Sequence, residues 1–207
     1  AVGSGDQLQI WDVASQMEQF TLQAAAELYT IGWSPLGDVV AYVSQEMGPE
    51  GGSDEIFRVN PQGSEKERLT FNTWEWDKHP SWSPDGNGVI YEDGTVDPRG
   101  YRLFTRDLIT NGPDSGPGDM LKAGVGRGEL TGRNPLWTTN DRFIFRGCNT
   151  WEEGKESECG IWLMQGNGGE PEQLTAEPNH VPMDVYGDTV VYVSPEAGDW
   201  NVYTLDL

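Results

Sequence analysis

An all-β fold built of repeated short strands is what the sequence predicts, and three observations carry that prediction. Apolar strands of three to five residues recur after a Trp-centred turn, and a second kind of strand recurs between them. Glycine (27), proline (13) and tryptophan (9) are abundant among 207 residues. Gly and Pro punctuate turns, and aromatic residues favour strands.

The repeat is read directly. Trp33-Ser34-Pro35-Leu36-Gly37-Asp38 precedes the strand 39–43, and Trp82-Ser83-Pro84-Asp85-Gly86 precedes Val89-Ile90-Tyr91. Trp137-Thr138-Thr139-Asn140-Asp141 precedes Phe143-Ile144-Phe145, and Met183-Asp184-Val185-Tyr186-Gly187-Asp188 precedes Val190-Val191-Tyr192. The four first positions (33, 82, 137 and 183) lie 49, 55 and 46 residues apart. Third strands follow or precede each pair, at residues 7–12, 55–59, 102–108, 160–164 and 201–206. An apolar–Thr pair closes the unit at Phe20-Thr21, Leu69-Thr70, Leu130-Thr131 and Leu174-Thr175. Four short strands every ~40–50 residues predict β-propeller blades. Ser-Pro-Asp-Gly supplies the turn, with Pro fixing φ and Gly taking φ > 0. Residues 16–27 could pass for a short helix, but the repeat places Phe20-Thr21 in a strand.

The expectation is a single domain over 1–207, a propeller of four blades of four short antiparallel strands, closed by N- and C-terminal strands. The strand count leaves a second reading open. There are four first-and-second pairs but five third strands, so the chain also reads as a segment of a larger propeller. Its opening, Ala1-Val2-Gly3 with no initiator Met, is expected of a processed chain or an excerpt.

The stretch His79-Pro80-Ser81-Trp82-Ser83-Pro84-Asp85-Gly86, followed by Val-Ile-Tyr and a later Leu-Thr, resembles the TolB-type propeller repeat, a relative of the WD-type repeat. The resemblance runs from about Asp6 to Leu207. The third and fourth copies depart from it by losing Ser-Pro, and the fourth also lacks the Trp. The resemblance implies a propeller. Its functional implication is broader: interaction platforms, gating domains of peptidases, and sugar or ion binders all use such repeats.

Charge narrows the partners. With 13 Lys and Arg against 34 Asp and Glu, the net charge is −21. Such a chain repels phosphate backbones and anionic lipid, so neither nucleic acid nor membrane insertion is expected. No apolar run approaches the roughly 20 residues of a membrane-spanning helix.

Cys148 and Cys159, the two cysteines, bracket the loop between a second and a third strand. A hairpin brings such positions together, so a disulfide is expected, and with it an extracytoplasmic setting: periplasm, cell surface or secretion. Two cysteines without a neighbouring His make too few ligands for structural zinc.

Catalytic signatures do not appear. The sequence has no Gly-x-Ser-x-Gly elbow, no His-Glu-x-x-His, no phosphate loop and no dinucleotide fingerprint. Acid pairs are abundant only because the chain is acidic. A non-enzymatic module is therefore expected, without cofactor or metal.

One constellation stands out for ligand binding. Three residues before each turn motif stand Thr30, His79, Asn134 and His180. The innermost strand of a blade lines the central channel, so these four polar residues are candidates for holding an ion or a small polar ligand. Local hydrogen bonding at a wet channel mouth is the plainer alternative. The acidic stretches 46–55 and 152–158 lack the spacing of a calcium loop and read as solvated loops. Trp74 and Trp76, between blades, and Trp151, between the cysteines, are candidates for surface contact. Packing between blades is the alternative. The Gly-rich connection 110–129 breaks the repeat length and is expected to be a partner-binding or mobile loop.

The function expected is a protein-interaction or scaffold module with a protein partner, working as an oligomer or within a larger assembly. The alternatives are a carbohydrate- or ion-binding lectin-like propeller and the propeller portion of a larger hydrolase.

Overall fold

The computed structural model describes all residues except 49–50, 72–75, 95–101, 109–118, 121–129, 149–158, 167–168 and 196–197. The described residues form eighteen strands in five antiparallel sheets. The first sheet holds β1 (Val2–Ser4), β2 (Gln7–Asp12) and β3 (Met17–Gln23). The second holds β4 (Leu28–Trp33), β5 (Val40–Gly48), β6 (Gly51–Val59) and β7 (Glu67–Arg68). The third holds β8 (Trp76–Trp82), β9 (Gly88–Gly94), β10 (Arg102–Asp107) and β11 (Asp119–Met120). The fourth holds β12 (Arg133–Trp137), β13 (Arg142–Cys148), β14 (Cys159–Gln165) and β15 (Glu172–Gln173). The fifth holds β16 (Val181–Tyr186), β17 (Thr189–Ser194) and β18 (Asn201–Asp206).

The all-β expectation holds, and the stretch 16–27 is indeed largely strand (β3). The four-bladed ring closed by terminal strands does not match this arrangement. β1–β3 make a sheet of their own and β16–β18 another, so each of the five third strands belongs to a separate sheet. Packing runs from β1 to β4, β4 to β8, β8 to β12 and β12 to β16. Among the described residues, the first and fifth sheets share no comparable packing.

Turn chemistry follows the sequence. In both Ser-Pro turns the Gly N–H donates back to the Ser carbonyl at 2.9 Å, and Gly37 and Gly86 each take φ 72°. That left-handed geometry is inexpensive only without a Cβ. The Leu-Thr signature also has a physical role. Leu69 is buried, and the Thr70 hydroxyl accepts the Ile56 N–H at 2.9 Å, extending the sheet where β7 has ended. Thr175 does the same for Ile161 at 3.0 Å. Leu130-Thr131 differs, because β10 pairs with Asp119–Met120 instead. Thr131 accepts the N–H of Cys148, in the following sheet, at 3.1 Å.

Strand side chains alternate between two faces. The face turned toward the next sheet in sequence is called here leading, the opposite one trailing. Four apolar clusters fill the four junctions. Leu8 and Ile10 meet Val40, Tyr42 and Phe57. Ala41, Val43 and Ile56 meet Trp82, Val89 and Tyr91. Ile90 and Leu103 meet Phe143, Phe145 and Trp162. Ile144, Ile161 and Leu163 meet Val190, with Tyr192 and Leu205 alongside. Second strands of the inner sheets are covered on both sides, so Val40, Ala41, Tyr42 and Val43 are all fully buried. This explains why those strands read as unbroken apolar runs rather than as alternation.

Candidate functional site

The innermost strands β4, β8, β12 and β16 surround a cavity of 620 Å³ whose wall includes Thr30, His79, Ser81, Asn134, Met183 and Asp184. Each of these strands breaks register at the same level. The shifts fall between Tyr29 and Ile31, Lys78 and Ser81, Arg133 and Leu136, and Pro182 and Asp184. Three of the bulges place a non-glycine residue in the left-handed region: Thr30 at φ 51°, His79 at 50° and Asn134 at 49°. Bulges re-aim side chains, and left-handed residues other than Gly are strained.

Thr30, His79 and Asn134 thus share one level of the wall. His180 does not join them. It is 5% exposed, with its ring centroid 4.7 Å from that of Tyr192. The fifth sheet turns through two residues between Tyr186 and Thr189, where Trp33 and Val40 are separated by six. The register therefore moves along by two, and Pro182 occupies the position of Thr30 and His79.

Glu92, which the sequence reading did not single out, organises the polar contacts behind the wall. It is fully buried, and its Oε2 lies 2.9 Å from His79 Nδ1. The same oxygen accepts the backbone N–H of Asn134 at 2.9 Å, and Arg133 Nε stands 3.6 Å from Oε1. Burial alone would raise its pKa. The His79 bond and charge, the Asn134 N–H and Arg133 outweigh that, and the carboxyl sits below its ordinary value. Glu92 was detectable in principle, as a charge in Val89-Ile90-Tyr91-Glu92 where the first copy of the pattern has Val43. The carboxylate fixes Nδ1 of the His79 ring, leaving Nε2 as its other polar atom.

The 46–55 stretch belongs to β5 and β6 apart from residues 49–50, rather than to a solvated loop. Glu55 is fully buried and accepts from Ser53 and Thr70 at 2.7 Å each, with Arg68 at 2.9 Å. Its burial outweighs these partners and raises its pKa. Asp54 pairs with Lys78 at 3.1 Å. The Lys78 ammonium lies 5.3 Å from the Trp76 ring centroid and 5.7 Å from that of Tyr29. Burial and the bond to Asp54 push the Tyr29 phenol up, so it stays protonated. Trp76 is half-buried. Trp74, Trp151 and the stretch 152–158 lie outside the described residues, as does the connection 110–129 apart from β11. Cys148 and Cys159 stand opposite each other in the β13–β14 register and form the disulfide. Among the described residues, no three His, Cys, Asp or Glu side chains are grouped to hold a metal ion. No helix among them is long and apolar enough to cross a membrane.

The fifth sheet exposes apolar side chains. Val202 is 69% exposed and Trp200 64%, and Tyr186 and Met183 are also in solvent.

No family model and no curated protein matches the sequence. Solved structures do match in shape. TolB from Acinetobacter baumannii is 15% identical with a TM-score of 0.57, over 97% of this chain and 57% of that one. The fold is that of a TolB-like β-propeller. A nidogen/laminin complex superposes with a TM-score of 0.68 at 12% identity, over 99% of this chain and 72% of that one. The tricorn protease gives a TM-score of 0.67 at 14% identity, over 98% of this chain but 23% of that one. The chain thus spans 57% of that TolB, 86% of a putative TolB from Agrobacterium tumefaciens (17% identical, TM-score 0.55) and 23% of the protease. At such identities the likeness establishes the fold alone.

Proposed function

We propose that this chain is a non-enzymatic propeller module that binds a protein partner outside the cytoplasm. The observation that carries the reading is the exposed apolar surface at the fifth sheet, where Val202 of β18 and Trp200 just before that strand are both more than 60% in solvent. Large exposed apolar and aromatic groups on an acidic body, which otherwise favours solubility, mark contact surfaces. The disulfide supports an oxidising compartment, periplasmic, cell-surface or secreted. The likeness to TolB and to a nidogen/laminin complex is compatible with a role in assembly. A photo-crosslinking residue at position 202, in the native host, tests it. A discrete adduct with one other protein is expected from position 202, and none from position 9 on the first sheet. If position 202 yields no adduct, the reading is set aside.

A second reading, binding of an ion or small polar ligand, is favoured by the His79–Glu92 pair beside the channel. Thermal melts with zinc, nickel, small anions and simple sugars test it. A rise in Tm that His79→Ala removes would support it, and no rise with any of them would exclude it.

A further inference from the structure

We propose that the cavity between the turns of the third and fourth sheets binds a lysine side chain of a protein partner. This surface is distinct from the fifth sheet, and the inference stands or falls without the interaction reading drawn there.

The cavity measures 370 Å³, and its wall includes Pro84, Asp85, Val89, Trp137, Thr139 and Asp141. It lies between the β8–β9 turn and the β12–β13 turn. The preceding junction shows why space is left here. There, Leu36 of the turn Ser34-Pro35-Leu36-Gly37 reaches across to Gly86, where an added Cβ would lie 3.0 Å from the Leu36 side chain. Trp82 of the receiving sheet is also tied across, its Nε1 donating to the Gly32 carbonyl at 3.2 Å. In the next turn, Ser83-Pro84-Asp85-Gly86, Asp85 stands in the place of Leu36. Its carboxylate folds onto its own turn. It accepts from Ser83 Oγ at 2.6 Å, and from the Asn87 backbone N–H and Nδ2 at 3.0 Å each. The turn opposite is shorter by one residue, since Thr138 N–H donates to the Arg142 carbonyl where Ser83 N–H donates to that of Gly88. A short side chain and a short turn thus replace an apolar reach across the junction, and a cavity remains.

The chemistry of the wall selects the ligand. Asp85 and Asp141 both line it, and no Lys or Arg does among the described residues. The bonds from Ser83 and Asn87 hold the Asp85 carboxyl below its ordinary value, so it is ionised at neutral pH. Asp141 packs over Gly166, where an added Cβ would collide with Oδ1. Two carboxylates on one cavity favour a cation. Trp137 is half-buried, and with Pro84 and Val89 it gives the cavity an apolar side. A metal ion gains nothing from that side, whereas the methylene stem of a lysine is covered by it and the ammonium is attracted to the indole. A sugar needs free hydrogen-bonding groups, but here Ser83, Asp85 and Asn87 are bonded to one another and Ser83 also accepts the Gly88 N–H. An arginine fork needs both oxygens of a carboxylate, and those of Asp85 already accept three bonds. A point charge has no such requirement. Pro84, Asp85, Thr139 and Asp141 are exposed at the rim, so a lysine can enter while its backbone stays outside. The net charge of −21 draws basic partners to such a surface.

The probe is Nα-acetyl-lysine methylamide, titrated into the isotope-labelled full chain at neutral pH and constant ionic strength and followed by two-dimensional NMR. Saturable shifts are expected at the Trp137 indole N–H, assigned with Trp137→Phe, and at the Thr139 and Asp141 amides, with millimolar affinity. Asp141→Asn should weaken binding roughly threefold or more. Asn tolerates the left-handed backbone of that position, so the fold is retained. Asp12→Asn, on the first sheet, should change nothing. The norleucine derivative, which lacks the charge, should not bind, and the arginine derivative should bind more weakly than lysine. No shift at these positions, equal binding of norleucine, or unchanged affinity in Asp141→Asn overturns the inference. Tighter binding of the arginine derivative, of methyl glucoside or of calcium also overturns it, because the cavity would then belong to another ligand. So does tighter binding of n-butylammonium than of the blocked lysine, which would make the cavity a site for a free amine.

Discussion

The backbone N–H of Asn134, in the fourth sheet, donates to Glu92 Oε2 in the third at 2.9 Å, on the same oxygen that His79 holds. One buried carboxylate thus joins two blades behind the channel wall. Replacing it with Gln removes charge-assisted bonds and should cost about 1–3 kcal/mol. The pH dependence has a definite sign. Glu92 is held below the ordinary value of 4.5, so its contribution is complete above that value and lost as pH falls below it. Glu55 works oppositely. Its raised value makes the native state bind the proton more tightly, so its contribution is greatest in acid and declines as pH rises above 4.5 through the native value. Urea unfolding between pH 3 and 7 should show a shallower acid loss for Glu92→Gln than for wild type, and a steeper one for Glu55→Gln.

Thr30 adopts φ 51°, a conformation that a β-branched residue occupies only under strain, and Asn tolerates it. Thr30→Asn should therefore stabilise the protein by about 0.5–1 kcal/mol. An unchanged or lower Tm would show that the Thr30 side chain contributes more than its backbone strain costs.

A Cβ on Gly160 would collide with the backbone carbonyl of Thr175, which passes over β14. Backbone cannot step aside as a flexible side chain can, so Gly160→Ala should cost about 3 kcal/mol or more. Gly37, whose added Cβ would meet nothing within 4 Å, offers a control. Gly37→Ala bears only the left-handed penalty, about 1–2 kcal/mol. Chemical denaturation of both variants gives the comparison.

The disulfide closes an 11-residue separation between β13 and β14. Loop-closure entropy puts its contribution at about 3 kcal/mol. Melts with and without a phosphine reductant should differ by roughly 6–12 °C, and the Cys148→Ser/Cys159→Ser double variant should match the reduced protein. Equal melting temperatures would mean that the reduced hairpin is already held by its neighbours.

What the sequence made legible was local. The turns map onto short-range hydrogen bonds such as Gly37 N–H to Ser34 O, and the closures at Leu69-Thr70 and Leu174-Thr175 onto bonds to the neighbouring third strand. The number of sheets was less legible, because first-and-second pairs and third strands give different counts and only pairing assigns β1–β3 to a sheet of their own. The alignment of His180 failed for a related reason. A turn two residues long instead of six leaves the hydrophobic pattern intact while moving the register by two. Glu92 escaped notice because its partners, His79 and Asn134, come from two different strands, and no spacing along the chain announces them.

The unlike leading and trailing faces give the stack of sheets a direction. The outer face of the first sheet mixes Gln7, Gln9 and Gln23 with exposed Val2 and Trp11, while the fifth sheet aligns Val181, Val193 and Val202. Each junction is therefore directional, with an aliphatic side and an aromatic side, so exchanging the two halves of a junction would not rebuild the same contact.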